Sequence, residues 1–150
     1  MKLLIKRKQI LKRIIIINGP NLNLLGKREP EIYGNQSFEE YFKALVSKYS
    51  EVATLSYYQS NHEGNLIDKL QEVGFGIDGV ILNAGGYTHT SIALADCVSA
   101  IESPVLEVHI SDITKRESFR KHSFLEPVCK TSIIGHGLKG YDMALDFLLR

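Results

Sequence analysis

Residues 14–34 read IIIINGPNLNLLGKREPEIYG, and this stretch decides the fold. Four consecutive isoleucines, Ile14 to Ile17, are β-branched and wholly apolar. Such a run, bounded by turn formers, predicts a strand buried on both faces, as in a parallel sheet. Asn18, Gly19, Pro20, Asn21 and Asn23 follow at once, all turn formers or hydrogen-bonders. In an open α/β sheet, ligands bind outside the carboxyl ends of the strands, so this first loop is expected in the site. The chain then passes through residues 26–34, which hold Lys27, Arg28, Glu29, Pro30 and Tyr33. That is long for a βα connection and predicts a binding loop or lid, mobile without ligand.

Downstream, strands and helices alternate. Ser37 and Glu40 form a capping box ahead of Phe38, Tyr41, Phe42, Leu45, Val46 and Tyr49 at helical spacing. Residues 53–59 read as a strand and 62–73 as a helix stopped by Gly74. A short apolar strand at 79–83 leads into Ala84, Gly85, Gly86, Tyr87, Thr88 and His89, then a helix over 91–101. Pro104 opens a strand at 105–108, followed by His109, Ile110, Ser111 and Asp112. Thr114 and Glu117 suggest a second capping box, with Arg116 and Arg120 four apart on a short helix. A strand at 132–135 and a helix at 140–149, with Tyr141, Ala144, Leu145 and Leu148 as its apolar stripe, end the chain. The expected fold is α/β: a flavodoxin-like, doubly wound, five-stranded parallel sheet of order 2-1-3-4-5 with helices on both faces. The polar loops after strands 1, 3 and 4 would then converge on one crevice.

With 150 residues, 44% hydrophobic and 23% charged, the chain suits one soluble domain, and no apolar stretch is long enough to span a bilayer. Residues 1–13 carry six Lys/Arg and no acid, which leaves 12 basic and 17 acidic side chains, a formal −5, for residues 14–150. That balance excludes a basic nucleic-acid binder for the body. The expected division is an N-terminal extension at 1–13 and a single catalytic domain at 14–150. The extension is not a secretory signal, because charges interrupt its apolar pieces; it reads as a solvated tail, an amphipathic helix or an anionic-surface contact. Cys97 and Cys129 read as reduced thiols of a cytoplasmic protein.

The crevice has a definite chemistry. Gly85 and Gly86 let backbone N–H groups approach a ligand, and the backbone of Ile110 and Ser111 suits an anion such as a carboxylate. Asn21 and Asn83 offer amides, His89 and His109 move protons near neutral pH, and Arg28, Arg116 and Arg120 supply forked positive charge. No Walker loop, dinucleotide fingerprint, nucleophile elbow or metal-ligand spacing is present. The inventory suits a small polyhydroxylated acid and proton transfer without cofactor or metal.

Four motifs in order, NGPNLNLLGKREPEIYG, ILNAGGYTHTSIALAD, EVHISDITKRESFRKHS and IIGHGLKGYDMAL, closely resemble type II 3-dehydroquinate dehydratases over about residues 14–149. The resemblance implies a hydro-lyase of the shikimate pathway, in the biosynthesis of chorismate and aromatic amino acids. It implies anti elimination of water from 3-dehydroquinate through an enolate, giving 3-dehydroshikimate, with no cofactor. By resemblance, Tyr33 is the general base, Arg28 the lid arginine, Asn21 the holder of the enolate-stabilising water and His109 the proton donor to the leaving hydroxyl. Asn83, Ile110 and Ser111 form the carboxylate pocket, and His89 and Arg120 hold ring hydroxyls. Asp96 reaches the site of a neighbouring subunit, and Arg116 lies near the lid. Glu107, two residues before His109 on one strand, is placed to orient it. The family assembles trimers into a dodecamer, with neither nucleic acid nor membrane as partner. Bringing a tyrosine from its reference pKa near 10 to about 7 takes about 4 kcal/mol of preferential phenolate stabilisation, which nearby arginines in a dry pocket supply. The alternative is a flavodoxin-like module that binds a small ligand or nucleotide without catalysis.

Overall fold

The computed structural model describes residues 8–27, 29–33 and 35–150, except for the side chains of Ile32 and Tyr33. Five strands, β1 (Lys12–Asn18), β2 (Ala53–Gln59), β3 (Gly79–Asn83), β4 (Val105–His109) and β5 (Thr131–Ile134), form one sheet of order β2-β1-β3-β4-β5. Every pairing is parallel. The helices are α1 (Pro30–Tyr33), α2 (Phe38–Tyr49), α3 (Glu63–Val73), α4 (Ile92–Ala100) and α5 (Lys139–Leu148). This is the flavodoxin-like order expected of the sequence.

The isoleucine run builds both cores. Successive side chains on a strand point to opposite faces. Ile14 and Ile16 join Phe38, Leu45 and Tyr141 on one face, while Ile15 and Ile17 join Leu66, Leu70 and Leu94 on the other. All four are buried. Burial of each such side chain stabilises the fold by roughly 1.5–3 kcal/mol, so the run ties β1 to both helical layers. The helix starts are set by local chemistry. Ser37 Oγ accepts the Glu40 N–H at 3.2 Å, and Ser91 Oγ accepts that of Leu94 at 2.9 Å.

Several boundaries differ from expectation. β1 begins at Lys12, not Ile14, because the Lys12 N–H reaches the Val52 carbonyl (3.1 Å) and that of Arg13 reaches Asp78 Oδ2 (2.7 Å). Backbone pairing carries these two basic residues into the sheet although their side chains stay exposed. β4 runs on to His109, and β5 starts one residue earlier than expected. The expected short helix carrying Arg116 and Arg120 is replaced by two 3-10 turns, Ile113–Lys115 and Ser118–Arg120. Asp112 is the reason: its carboxylate accepts the Thr114 N–H at 3.0 Å and the Thr114 hydroxyl at 2.5 Å. The hydroxyl that would have capped a helix with Glu117 is thereby engaged two residues upstream. Cys97 and Cys129 are both free thiols. Among the described residues no helix is long and apolar enough to cross a membrane.

Candidate active site

The register brings Asn18, at the end of β1, level with Gln59 on β2 and Asn83 on β3. The loops leaving β1, β3 and β4 therefore start from one rim. They enclose a cavity of about 420 Å³ whose lining includes Asn21, Asn83, Gly85, Gly86, His89, His109, Ile110, Ser111, Arg116 and Arg120. Ten of the residues singled out in the sequence thus share one cavity. Both arginines reach it despite the altered backbone, and Glu117 sits beside them, 2.9 Å from Arg120 Nε and 3.8 Å from Arg116 Nε.

The first loop is held down by close packing. Gly19 lies against Ala84, where a Cβ would fall 2.5 Å from the Ala84 carbonyl oxygen, and its N–H donates to the Asn83 carbonyl at 2.7 Å. Asn21 has φ +68°, a left-handed conformation that asparagine tolerates better than most residues. Its N–H donates to Asn61 Oδ1 at 3.0 Å, and Gln59 Nε2 donates to the same oxygen and to the Gly19 carbonyl, each at 3.1 Å. Gly85 is also left-handed (φ +58°), so a side chain there is strained. At Gly86 a Cβ would meet nothing, so the chain itself does not require glycine there.

Glu107 is the hub beneath the cavity. It is 0% exposed. Its Oε1 accepts from Thr88 Oγ1 (2.7 Å), Ser123 Oγ (2.5 Å) and His109 Nε2 (2.6 Å), and its Oε2 accepts from Ser132 Oγ (2.6 Å). Burial alone would raise this carboxyl. The donors, His109 foremost, outweigh burial and hold it at about 2. An ionised carboxylate only accepts, so His109 Nε2 carries a proton and Nδ1 is the ring nitrogen left for a ligand. The His89 ring stacks near it, centroids 6.4 Å apart. His89 Nδ1 donates to the His122 carbonyl at 2.7 Å, which makes Nε2 the acceptor of the neutral ring. Burial, together with the charges of His109 and Arg120, pushes His89 below the usual histidine range. Burial, reinforced by the Glu107 charge, raises the Cys129 thiol to about 12 and leaves it unreactive near neutrality.

Other candidates fall outside this cluster. Arg28 lies outside the described residues, as does the side chain of Tyr33; the Tyr33 backbone closes α1. Asp96 is exposed on α4, away from the cavity lining. Conversely, Thr88, Ser123 and Ser132 around Glu107, and Gln59 and Asn61 behind Asn21, gave no signal in the sequence. Each acts across a separation of 16 to 40 residues that no local pattern encodes. Among the described residues no three His, Cys, Asp or Glu side chains cluster to hold a metal.

Residues 12–149 match the family Dehydroquinase class II. The chain belongs to that family. It is 52% identical over 137 residues to the 3-dehydroquinate dehydratase of Exiguobacterium sp. (strain ATCC BAA-1283 / AT1b), covering 91% of this chain and 94% of the relative. It is 47% identical over 137 residues to that of Bacillus pumilus (strain SAFR-032), covering 90% and 92%. The crystal structure of type II dehydroquinase from Butyrivibrio crossotus DSM 2876 superposes with a TM-score of 0.87 at 48% identity, covering 92% of this chain and 97% of that one. Class II dehydroquinases thus share both the sheet and nearly the full length of this chain.

Proposed function

We propose that this class II dehydroquinase is a 3-dehydroquinate dehydratase that eliminates water from 3-dehydroquinate to give 3-dehydroshikimate. The observation that carries the reading is the single cavity where asparagines, two histidines, two arginines and the Ile110–Ser111 backbone meet at the ends of β1, β3 and β4. Donors and positive charge suit a carboxylate with several hydroxyls, and the paired histidines suit proton transfer.

In this mechanism Asn83 and the Ile110 and Ser111 backbone hold the substrate carboxylate, while His89 and Arg120 hold ring hydroxyls. Tyr33, as phenolate, takes the C2 proton, and the C2–H electrons move into the enolate of the C3 ketone. Asn21 positions the water that stabilises this oxyanion, and Arg28 and Arg116 supply positive charge near the lid. The enolate then collapses: the C1–O bond breaks, the C1–C2 double bond forms, and His109 delivers a proton so that the hydroxyl leaves as water. Glu107 holds the His109 Nε2–H at 2.6 Å and fixes the ring orientation, so the proton delivered is the one on Nδ1. Asp96, exposed on α4, completes the site of a neighbouring subunit within a trimer-based dodecamer, working in the cytoplasm in chorismate biosynthesis.

The test is stereochemical. Substrate deuterated at C2 on the side anti to the C1 hydroxyl should lose its label to solvent, whereas the opposite epimer should keep it in the product. Loss from the syn position instead would refute this placement of base and acid on opposite sides of the ring.

A further inference from the structure

Tyr141 lies in the apolar stripe of α5 and is fully buried, yet its hydroxyl reaches the floor of the cavity network. It accepts from Asn83 Nδ2 at 3.0 Å and donates to Asn18 Oδ1 at 2.8 Å. The direction of each bond is forced. The Gly85 backbone N–H can only donate, so the Asn83 atom it meets at 3.1 Å is the oxygen. Nδ2 therefore faces Tyr141, whose one proton goes on to Asn18. Burial raises the Tyr141 hydroxyl well above the ordinary tyrosine range, so it remains a donor at every working pH. Asn83 lines the cavity, and with its oxygen held by Gly85 and one hydrogen by Tyr141, its second Nδ2 hydrogen remains free to donate.

We propose that Tyr141 is a positioning residue whose hydroxyl, together with the Gly85 N–H, clamps the Asn83 carboxamide so that its free N–H donor is held to the cavity, making this part of the floor selective for carboxylate oxygen. The terminal amide torsion of asparagine is soft. The Gly85 N–H fixes which end is oxygen, and the Tyr141 hydroxyl holds the Nδ2 end, so without it the amide swings about the Gly85 contact and its free N–H loses its aim. The inference rests on Asn83 being a substrate ligand, as in the proposed function.

Tyr141→Phe removes one oxygen and leaves the ring in the core. The expected result is a KM for 3-dehydroquinate raised about ten-fold, the worth of one misdirected hydrogen bond, with kcat nearly unchanged. In an Asn83→Ala background the same substitution should leave KM unaltered. A merely structural tyrosine would lower stability in both backgrounds and change KM additively, and that additivity would overturn the proposal. A second readout needs no turnover. In ¹⁵N NMR the Asn83 amide proton bonded to Tyr141 should be protected from solvent exchange in the wild type and lose that protection in Tyr141→Phe; unchanged protection would overturn the proposal. Failure of the wild type to convert 3-dehydroquinate would refute the proposed function, while the amide measurement would still decide the role of Tyr141. Should Tyr141→Phe not fold, Asn18→Ala carries the test, because it removes the acceptor that aims the Tyr141 hydroxyl. KM should rise and the protection of the Asn83 amide proton fall; no change in either would overturn the proposal.

Discussion

Replacing Glu107 by glutamine keeps the side chain's shape and removes its charge, which makes the stability of the hub a measurable function of pH. In the folded protein the carboxyl titrates at about 2, against an ordinary 4.5. The group is fully buried and so little screened by solvent. A depressed carboxyl contributes stability above its ordinary value and loses it as pH falls towards the folded one. The contribution is about 3 kcal/mol at pH 7 and falls by about 2 kcal/mol on going to pH 3. Glu107→Gln has no such dependence. Urea unfolding of wild type and variant, at fixed protein concentration, should show the wild type's advantage at pH 7 shrinking by about 2 kcal/mol at pH 3. An advantage equal at the two pH values would refute the reasoning, because the four donors would then not be holding a charge. The same variant should lower kcat, since a neutral amide grips the His109 N–H less firmly than a carboxylate does.

Three further outcomes are expected. Tyr33→Phe should abolish turnover while substrate affinity, measured by calorimetry, stays within about three-fold, because only the base is lost. Arg28→Ala should lower kcat far more than it weakens affinity, and an equal loss in both would make Arg28 a binding residue only. Gly19→Ala places a methyl group 2.5 Å from the Ala84 carbonyl oxygen. It should therefore cost about 1–3 kcal/mol in chemical denaturation and shift the first loop off β3.

The sheet was legible because its strands are short apolar runs between turn formers, and because the rules of parallel βαβ units leave few arrangements for five of them. Ile14–Ile17 marked a strand buried on both faces without any alternation to read. The strand order in turn brought the loops holding Asn21, His89 and His109 to one rim. What stayed hidden was polar and non-local. Tyr141 reads as core from its helical spacing, and nothing in that spacing reveals that its hydroxyl bridges Asn18 and Asn83, 123 and 58 residues away. Ser132 reads as an ordinary strand residue, yet it is the donor on Glu107 Oε2. The Thr114–Glu117 pattern failed for the opposite reason, since the nearer Asp112 captured the threonine first. Local patterns fix elements well, whereas the second layer of a site depends on the tertiary fold.

Turnover itself is the most direct test. Purified protein added to 3-dehydroquinate with chelator present should give a rapid, protein-dependent rise in the ultraviolet absorbance of the conjugated enone, and borohydride treatment should not diminish it. Absence of a rise from folded protein would contradict the dehydratase reading and favour a cavity that binds its ligand without turning it over.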